Sequence, residues 1–289
     1  MLAPSMDTFF HALDEAEALV VGAGSGLSTA AGLRYSGERF YRYFQDFHDK
    51  YGFTDMYRPG FYNYKTAEGF WAFRSRSSVV NRFDAGPLPL YQRLVGLLKN
   101  HDYFVITTNV DHQFQLSGVD KDRLYYMQGD YGSFQCSKPC SKEVYDGEET
   151  LRAMNASIDA NLEIDGSLIP QCPRCGAPLM MHMRMDHRFV EPEGLLAARR
   201  RYNSFLNLHN EGKVVYLELG VGYNTPIIIK YPFWERVMKN EEAIFVTVNA
   251  EDTWVPEEIL SRTLAIKGDI KDFVDAWARR KQSPTVDTH

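Results

Sequence analysis

The chain has 289 residues, 44% of them hydrophobic and 24% charged, a balance typical of a globular protein with one large or two ordinary domains. Its net charge of -6 argues against nucleic acid as a partner, because phosphate recognition requires a surplus of basic residues. No segment approaches the roughly 18 apolar residues of a membrane span, and the first twenty residues hold four acids without a Lys or Arg. We therefore expect no membrane contact, no signal peptide and a cytoplasmic location.

The first distinctive segment of the chain is a glycine-rich turn. The apolar run AEALVV at residues 16–21 predicts a buried strand, and residues 8–15 predict a short helix before it. Three glycines fall within the next five residues, followed by Ser28 and Thr29, residue types that commonly begin helices. The spacing of these glycines does not match the G-x-G-x-x-G fingerprint of dehydrogenases. The turn therefore predicts a phosphate-containing ligand, but not an ordinary dehydrogenase.

The next segments are an aromatic region and a second strand. Residues 35–80 contain many aromatic side chains without a period of two, which predicts a mostly helical insertion. An amphipathic helix then leads into a predicted strand at residues 103–107. Thr108, Asn109 and Asp111 follow at the carboxyl end of that strand. Ligands of open parallel sheets bind at the carboxyl ends of strands, so this position favours a functional role.

All four cysteines of the chain lie in one segment, as two pairs: Cys136 with Cys140, and Cys172 with Cys175. Four thiolates with this pairing suit a tetrahedral structural zinc ion, which leaves no coordination position open for water. Four unrelated reduced thiols are the alternative. His182 or His187 could replace one of the ligands.

The last third of the chain continues the alternation of strands and helices. Apolar runs predict strands at residues 213–222 and 243–252, the first ending in glycines and the second in Asn249 and Glu251. The segment LAIKGDIKDFVDAWARR predicts a strand, a Gly-Asp turn and an amphipathic helix. These recurring units predict an α/β fold: a Rossmann-like parallel sheet with helices on both faces, plus a small zinc-ribbon-like insertion module.

In this order, the motifs resemble those of the sirtuins, a family of NAD-consuming deacylases and ADP-ribosyltransferases. Residues 24–33 lie without gaps on the family pattern G-A-G-x-S-x-x-S-G-I. Residues 107–111 match T-Q-N-I-D, residues 220–222 correspond to G-T-S, and residues 249–251 match N-x-E. A final glycine turn at residues 268–270 corresponds to the turn that touches the adenine end of NAD. Each motif is weak alone, but the ordered set is specific.

The resemblance implies NAD as co-substrate, a structural zinc ion on the four cysteines, and a defined set of NAD-binding residues. That set is Ala23, Gly24, Ser25, Gly26, Ser28, Thr29, Leu33, Thr108, Asn109, Asp111, Gly220, Val221, Gly222, Asn249, Glu251, Asp269 and Ile270. The predicted domains are an NAD-binding domain of residues 1–130 and 189–280, a zinc-binding module at 131–188, the helical insertion at 35–80 and a frayed end at 283–289.

Three departures distinguish the chain from the deacylases of that family. The catalytic His-Gly is replaced by Gln128-Gly129, and the P-D-F-R tail of the first motif is replaced by residues 34–40. The V-x-F-G-E segment that clamps acyl-lysine peptides is absent, and LMMHMRMDHRFVEPE stands in its place. Together these resemble the macrodomain-linked class of microbial sirtuins, which is associated with protein ADP-ribosylation. That class implies two partners: a macrodomain hydrolase and a lipoylated carrier protein similar to the glycine-cleavage H protein.

The chemistry of Gln128 favours the same interpretation. Deacylation uses histidine as a general base, and glutamine cannot titrate; losing a positioned base costs about 10²–10⁴-fold in rate. A carboxylate acceptor is already ionised near pH 7 and can attack the ribose C1′ without losing a proton. We expect Asn109 to hold the ribose hydroxyls or a water, Asp111 to bind the nicotinamide carboxamide, and Gln128 to orient a ribose hydroxyl. The sequence therefore predicts an NAD-dependent protein ADP-ribosyltransferase that modifies a protein acceptor and releases nicotinamide.

Two other functions are compatible with the sequence. An NAD-dependent deacylase without a catalytic histidine would release O-acyl-ADP-ribose, and a catalytically silent NAD-binding sensor would bind NAD without releasing nicotinamide. Simpler structural roles also exist for single residues. Asn109 and Asp111 could cap a helix, and Gln128 could lie in an ordinary turn. The alternation of Leu179, Met181, Met183 and Met185 favours a core position over an acceptor groove.

Overall fold

A six-stranded parallel sheet forms the centre of this computed structural model, which describes residues 6–223 and 226–282. The strands of the chain are β1 (Ala18–Ala23), β2 (Tyr103–Thr107), β3 (Leu124–Tyr126), β4 (Gly129–Cys136), β5 (Val144–Asp146), β6 (Leu179–Met183), β7 (Val214–Leu219), β8 (Ile244–Asn249) and β9 (Thr263–Lys267). The main sheet has the order β3-β2-β1-β7-β8-β9. Strands β1 and β7 are buried along their whole length, as apolar central strands of parallel sheets are.

Helices cover both faces of this sheet. The helices are α1 (Met6–Glu15), α2 (Ser25–Ala30), α3 (Glu38–Tyr51), α4 (Ala67–Ser78), α5 (Pro89–Leu98), α6 (Gln113–Leu116), α7 (Glu148–Ala156), α8 (Glu193–Leu208), α9 (Lys230–Lys239) and α10 (Ile270–Gln282). The first core packs α1, α5 and α10 against one face, around Phe9, Leu94 and Phe273. The second packs α8 and α9 against the other face, around Tyr202 and Phe233. The predicted α/β fold with a parallel sheet is confirmed.

The two predicted strands of the last third end earlier than expected. The strand predicted at 213–222 is β7, which ends at Leu219, and the strand predicted at 243–252 is β8, which ends at Asn249. Gly220 has a φ of 62°, a left-handed conformation that interrupts an extended strand and that glycine adopts at little cost. Strand β7 therefore stops at the first glycine, and the glycines form a turn beyond the sheet.

A smaller antiparallel sheet, in the order β5-β4-β6, carries the cysteines. Helices α3 and α4 of the predicted insertion share a third core with this sheet, around Phe44, Phe73, Phe134 and Met181. Leu179 and Met181 are buried in this core and Met183 packs against it, as their alternation predicted. The prediction is wrong for Met185, which lies beyond the end of β6 and is exposed. The insertion and the cysteine module are thus packed as one unit beside the main sheet. The exact domain boundaries remain a prediction, and the predicted frayed end at 283–289 lies outside the described residues.

Among the described residues, no helix is both long enough and apolar enough to cross a membrane. The cytoplasmic location remains a prediction.

Candidate functional site

The sirtuin-like motifs at residues 24–33 and 220–222 contact each other at the carboxyl ends of β1 and β7. These strands are neighbours in the sheet, and the Gly26 N–H donates to the Gly220 carbonyl at 2.9 Å. A Cβ atom on Gly24 would lie 2.6 Å from the Gly220 oxygen, and one on Gly26 would lie 2.6 Å from the Gly220 Cα. Only glycine fits at these contacts, which hold the start of α2 close to the end of β7.

A polar network joins this glycine turn to the end of β2. The Asn109 Nδ2 lies 2.9 Å from the Gly24 carbonyl oxygen, 3.1 Å from the Ser28 Oγ and 3.0 Å from the Tyr91 hydroxyl. Ser28 in turn donates a hydrogen bond to the carboxylate of Asp111. Sequence reasoning missed Tyr91, which belongs to the buried face of α5 and lies 63 residues from its partner Ser28.

Asp111 is a buried carboxylate at the centre of this network. Besides the bond from Ser28, it accepts a hydrogen bond from the Gln113 N–H at 3.1 Å. Burial raises the pKa of Asp111 above its usual value, although both hydrogen bonds oppose this shift. The Gln113 contact is the helix cap considered from the sequence, but the Ser28 contact ties the same carboxylate to the glycine turn. A helix-capping role of Asp111 does not account for the contact with Ser28.

Two tyrosine hydroxyls lie within electrostatic range of Asp111. The hydroxyls of Tyr35 and Tyr131 lie 2.9 Å apart, and the Tyr131 N–H donates to the Val110 carbonyl at 2.9 Å. Burial raises the pKa of Tyr35 well above its usual value, and the charge of Asp111 adds to that shift. Both phenols are therefore protonated at neutral pH and can donate hydrogen bonds. Tyr35 lies in the segment that departs from the family's P-D-F-R pattern.

Gln128 lies at the start of β4, beside the end of β2. Its carbonyl accepts a hydrogen bond from the Arg184 N–H at 2.9 Å, and Gly129 has a φ of 92°. A Cβ atom on Gly129 would lie 1.9 Å from the His182 carbonyl oxygen, so this close strand pairing requires glycine. The preceding residue, Met127, donates to the Thr107 carbonyl at 3.4 Å. These contacts hold Gln128, which is half-buried, next to the Asn109 segment.

His112, which follows Asp111, and Asp130, which follows Gly129, form a polar cluster with Arg82 that was not predicted. The His112 Nδ1 contacts one oxygen of Asp130, and the Arg82 Nε lies 3.1 Å from the other. Burial opposes ionisation of Asp130, but His112, Arg82 and the Gly132 N–H outweigh it and lower its pKa. His112 has a φ of 64°, an uncommon conformation for a residue other than glycine. The sequence signal was its position directly after Asp111.

The remaining predicted NAD-binding residues lie along the same edge of the main sheet. The Thr108 N–H donates to the Ala23 carbonyl at 3.1 Å, and the Leu33 N–H donates to the Ser28 carbonyl at 2.8 Å. Asn249 donates from its Nδ2 to the Val221 carbonyl at 3.3 Å. Ile270, the first residue of α10, is buried. The other residues of the predicted set at this edge are exposed: Ser25, Thr29, Gly222, Glu251 and Asp269.

The four cysteines converge on one point of the smaller sheet. Their sulfur atoms all lie within 4.8 Å of one another, with 3.5 Å between Cys136 and Cys175 and 3.6 Å between Cys140 and Cys172. A Zn–S distance of about 2.3 Å places the sulfurs of a tetrahedral site about 3.8 Å apart, so this arrangement fits zinc. His182 is not a ligand, because it is buried and its Nε2 contacts the Val190 carbonyl.

The fold is that of known sirtuin structures. Sir2Tm bound to a propionylated peptide superposes with a TM-score of 0.60 at 17% identity, covering 96% of this chain and 99% of that one. A Sir2 homologue in complex with ADP-ribose gives a TM-score of 0.61 at 16% identity, covering 96% of both chains. No protein-family model matches the chain.

A curated relative decides the family. The protein ADP-ribosyltransferase of Staphylococcus aureus is 37% identical over 275 residues, which cover 95% of this chain and 87% of that protein. The chain belongs to the sirtuin-fold protein ADP-ribosyltransferases. A probable bifunctional ADP-ribose hydrolase/ADP-ribosyltransferase of Fusarium oxysporum is 34% identical over 241 residues, 79% of this chain and 39% of that protein. The prediction of an NAD-dependent ADP-ribosyltransferase is confirmed.

Proposed function

We propose that this ADP-ribosyltransferase transfers ADP-ribose from NAD to a carboxylate side chain of a protein acceptor. The observation that carries the proposal is Gln128: the position of the family's catalytic base holds a residue that cannot accept a proton. The fixed strand pairing at Gly129 keeps that residue beside the polar network. An ionised carboxylate is a nucleophile that requires no base, so this site suits it.

NAD binding follows from the contacts along the edge of the sheet. We place the pyrophosphate at Ser25, which is exposed beside the turn where Gly24 and Gly26 pack against Gly220. Asn249 and the start of α10 at Ile270 lie at the adenine end. Ser28, Asn109 and Asp111 lie at the nicotinamide end, and the other predicted residues of the edge complete the site. These assignments rest on contacts within the chain and on the sirtuin-like motifs.

The transfer step needs positioning and charge stabilisation rather than proton removal. Asp111 accepts a hydrogen bond from the nicotinamide carboxamide, and Asn109 and Gln128 hold the ribose hydroxyls. The bond between C1′ and the nicotinamide nitrogen breaks, and its electron pair leaves with neutral nicotinamide. A carboxylate oxygen of the acceptor donates the pair that forms the new bond to C1′. The product is an ester, and no proton is gained or lost in the exchange.

A structural zinc ion on the four cysteines completes the proposal. Purified protein should contain about one zinc ion per chain, and its removal by a chelator should lower thermal stability, because metal binding is coupled to folding of the module. Elemental analysis and thermal unfolding with and without chelator test this. Protein without zinc, whose four native thiols are all freely alkylated, would contradict it.

Substitution of Ser25 tests the proposed pyrophosphate position. Ser25 is exposed at the first turn of α2, between two glycines that are packed against Gly220 and cannot shift. Ser25→Leu should therefore weaken NAD binding by about 10-fold or more, as a clash with bound phosphate would. Isothermal titration with NAD measures the effect, and Ser167→Leu, an exposed serine of the smaller unit, serves as the control. Equal NAD affinity in both variants would mean that the phosphates lie elsewhere.

The acceptor and the partner enzyme are inferred from the family. A protein acceptor follows from the family, and we propose a lipoylated carrier protein similar to the glycine-cleavage H protein, with a macrodomain hydrolase that reverses the modification. The fungal relative supports the pairing, since its name combines an ADP-ribose hydrolase with an ADP-ribosyltransferase.

One experiment tests the function as a whole. The protein is incubated with labelled NAD and a lysate of its own cells, and the labelled proteins are identified by mass spectrometry. Stable labelling of one protein, with release of nicotinamide, is the expected result. If the protein instead releases labelled O-acyl-ADP-ribose when acylated peptides are added, and labels no protein, it is a deacylase.

A further inference from the structure

Arg74 on α4 is a buried guanidinium without an acidic partner in the described part of the chain. Arg74 is only 5% exposed. One Nη donates to the Gly60 carbonyl and lies 3.4 Å from the Met185 sulfur, and the guanidinium lies 5.4 Å from the centre of the Phe70 ring. The buried Nε has no hydrogen-bond partner. This group keeps its charge, although burial lowers the pKa of Arg74.

The neighbouring arginines show how unusual this is. Arg76, two residues further along α4, pairs with Asp46 at 2.6 Å, and Arg82 pairs with Asp130 at 3.1 Å. A buried charge without a counter-charge is costly, because a backbone carbonyl and a thioether replace only part of its lost hydration. Arg74 therefore reduces the stability of the free protein. A buried, partly unsatisfied cation of this kind points to an anionic ligand.

The position of Arg74 connects it to the proposed transfer site. Its charge acts on the tyrosine pair: it lowers the pKa of Tyr131, although burial dominates and leaves that pKa raised. Tyr131 shares its hydroxyl contact with Tyr35, and the charge of Asp111 acts on both phenols. The two tyrosines therefore lie within electrostatic range of both the carboxylate at the nicotinamide end and the buried guanidinium.

The cover over Arg74 is thin. The turn at Arg58–Phe61 supplies the Gly60 carbonyl, and Phe61 in that turn is 62% exposed. Met185, which supplies the sulfur contact, is 39% exposed. Access of a ligand to the guanidinium requires displacement of Met185 and of the turn that holds the buried Gly60. The covering contacts are a single carbonyl and a weak thioether acceptor, which a carboxylate outcompetes.

We propose that Arg74 binds the acidic side chain of the acceptor protein and positions it for transfer. This inference rests on the proposed carboxylate acceptor. The planar guanidinium suits a carboxylate, which it can hold by two parallel hydrogen bonds. Transfer converts the carboxylate into an uncharged ester, so the ion pair is lost when the product forms. Arg74 thereby favours the unmodified acceptor over the product.

A pair of matched variants on the same helix tests the role of Arg74. Arg74→Met removes the unpaired charge and Arg76→Met removes a paired one. Arg74→Met should maintain or raise the melting temperature, since it replaces a buried charge by an apolar chain of similar length. It should nevertheless lower transfer to lysate proteins by about 10- to 100-fold, the cost of a lost charged hydrogen bond. Arg76→Met should leave transfer unchanged. The affinity of both variants for NAD should equal that of the unsubstituted protein.

A small acceptor mimic provides the direct measurement. N-acetyl-glutamic acid α-amide carries one side-chain carboxylate, and N-acetyl-glutamine α-amide is its neutral counterpart. The acid should stimulate nicotinamide release from NAD or compete with lysate labelling, and the neutral amide should do neither. The half-saturating concentration of the acid should rise at least 10-fold in Arg74→Met, and by less in Arg74→Lys, which keeps the charge without the planar fork.

The outcomes separate this inference from the proposed function. Equal half-saturation in Arg74→Met and the unsubstituted protein, or no effect of the acid in either assay, overturns the role of Arg74. A loss of NAD affinity in Arg74→Met also overturns it, because the anion would then be the NAD pyrophosphate. If Arg74→Met does not fold, the half-saturating concentration of the acid is measured in Arg74→Lys. A value equal to that of the unsubstituted protein then overturns the role of Arg74. The proposed carboxylate acceptor itself fails only if the label on protein is absent or is not an ester.

Discussion

Replacing Asp111 by Asn is expected to lower ADP-ribose transfer by about 10²- to 10³-fold and to stabilise the NAD-free protein. Activity falls because the neutral amide no longer offers a charged acceptor to the nicotinamide carboxamide. Stability rises because burial raises the pKa of Asp111, so the folded state disfavours its ionised form. Asn keeps the shape and can accept the hydrogen bond from the Gln113 N–H.

The sign of the pH dependence follows from that raised pKa. The folded protein binds the Asp111 proton more tightly than the unfolded chain, so this carboxyl group favours folding below its unfolded pKa of about 4. That contribution is lost as the pH rises towards the folded pKa. The stability advantage of Asp111→Asn should therefore grow with pH over this range and then stay constant.

Urea unfolding at several pH values between 4 and 8 measures this advantage. Asp159→Asn is the control, since the Glu163 N–H and other backbone donors lower the pKa of that exposed carboxyl group. Asp159→Asn should not raise the free energy of unfolding at any pH in this range, and its rate of transfer should equal that of the unsubstituted protein. An Asp111→Asn variant that is less stable at pH 7, with normal transfer, would mean that the carboxylate only caps α6.

Local patterns were sufficient to predict five of the six strands of the main sheet; the short strand β3 was missed. The apolar runs that became β1, β2, β7, β8 and β9 are bounded by glycines or polar residues, and such boundaries are visible in a sequence. The contact between the first glycine turn and Gly220 was implied by the order of the motifs, because parallel strands present their carboxyl ends on one edge. The fold and the ligand-binding edge of the main sheet were therefore predictable together.

Long-range side-chain contacts were not predictable in this way. The apolar period of α5 marks Tyr91 as buried, but nothing local indicates that its hydroxyl reaches Ser28. The pairing of His112 with Asp130 depends on β4 running beside the end of β2. The isolation of Arg74 is visible only when every acidic group around it has been located. Polar networks of this kind are set by tertiary packing, which a single sequence does not specify.

The shared core of the insertion and the cysteine module was also missed. The aromatic residues of 35–80 indicated helices, yet the periodicity of a helix does not identify its partner. Phe44 and Phe73 pack against Phe134 and Met181 of the smaller sheet rather than against the main sheet. This packing places α4, and with it Arg74, within electrostatic range of the tyrosine pair.

The rate of transfer is expected to be nearly constant from about pH 6 to 8.5, and the label on the acceptor should be removed completely by neutral hydroxylamine. Gln128 does not titrate, and an acceptor carboxylate is ionised above about pH 5, so neither the position of the base nor the acceptor introduces an ionisation near pH 6.5. An ester is the bond that neutral hydroxylamine cleaves. Gln128→Ala should lower the rate by about 10-fold through loss of a hydrogen bond, without adding a pH dependence.

His112 is the residue through which this expectation can fail. Its Nδ1 contacts the ionised Asp130, with Arg82 on the far oxygen, so the ring is oriented as a general base would be. His112→Asn is a suitable variant, since Asn tolerates the left-handed backbone found there. With a carboxylate acceptor, the pH profile of this variant should stay as flat as that of the unsubstituted protein. A rate that rises near pH 6.5 and loses that rise in His112→Asn would identify a base, and the acceptor would then be a hydroxyl or amine that must lose a proton. A hydroxylamine-resistant label would lead to the same conclusion by an independent chemical measurement.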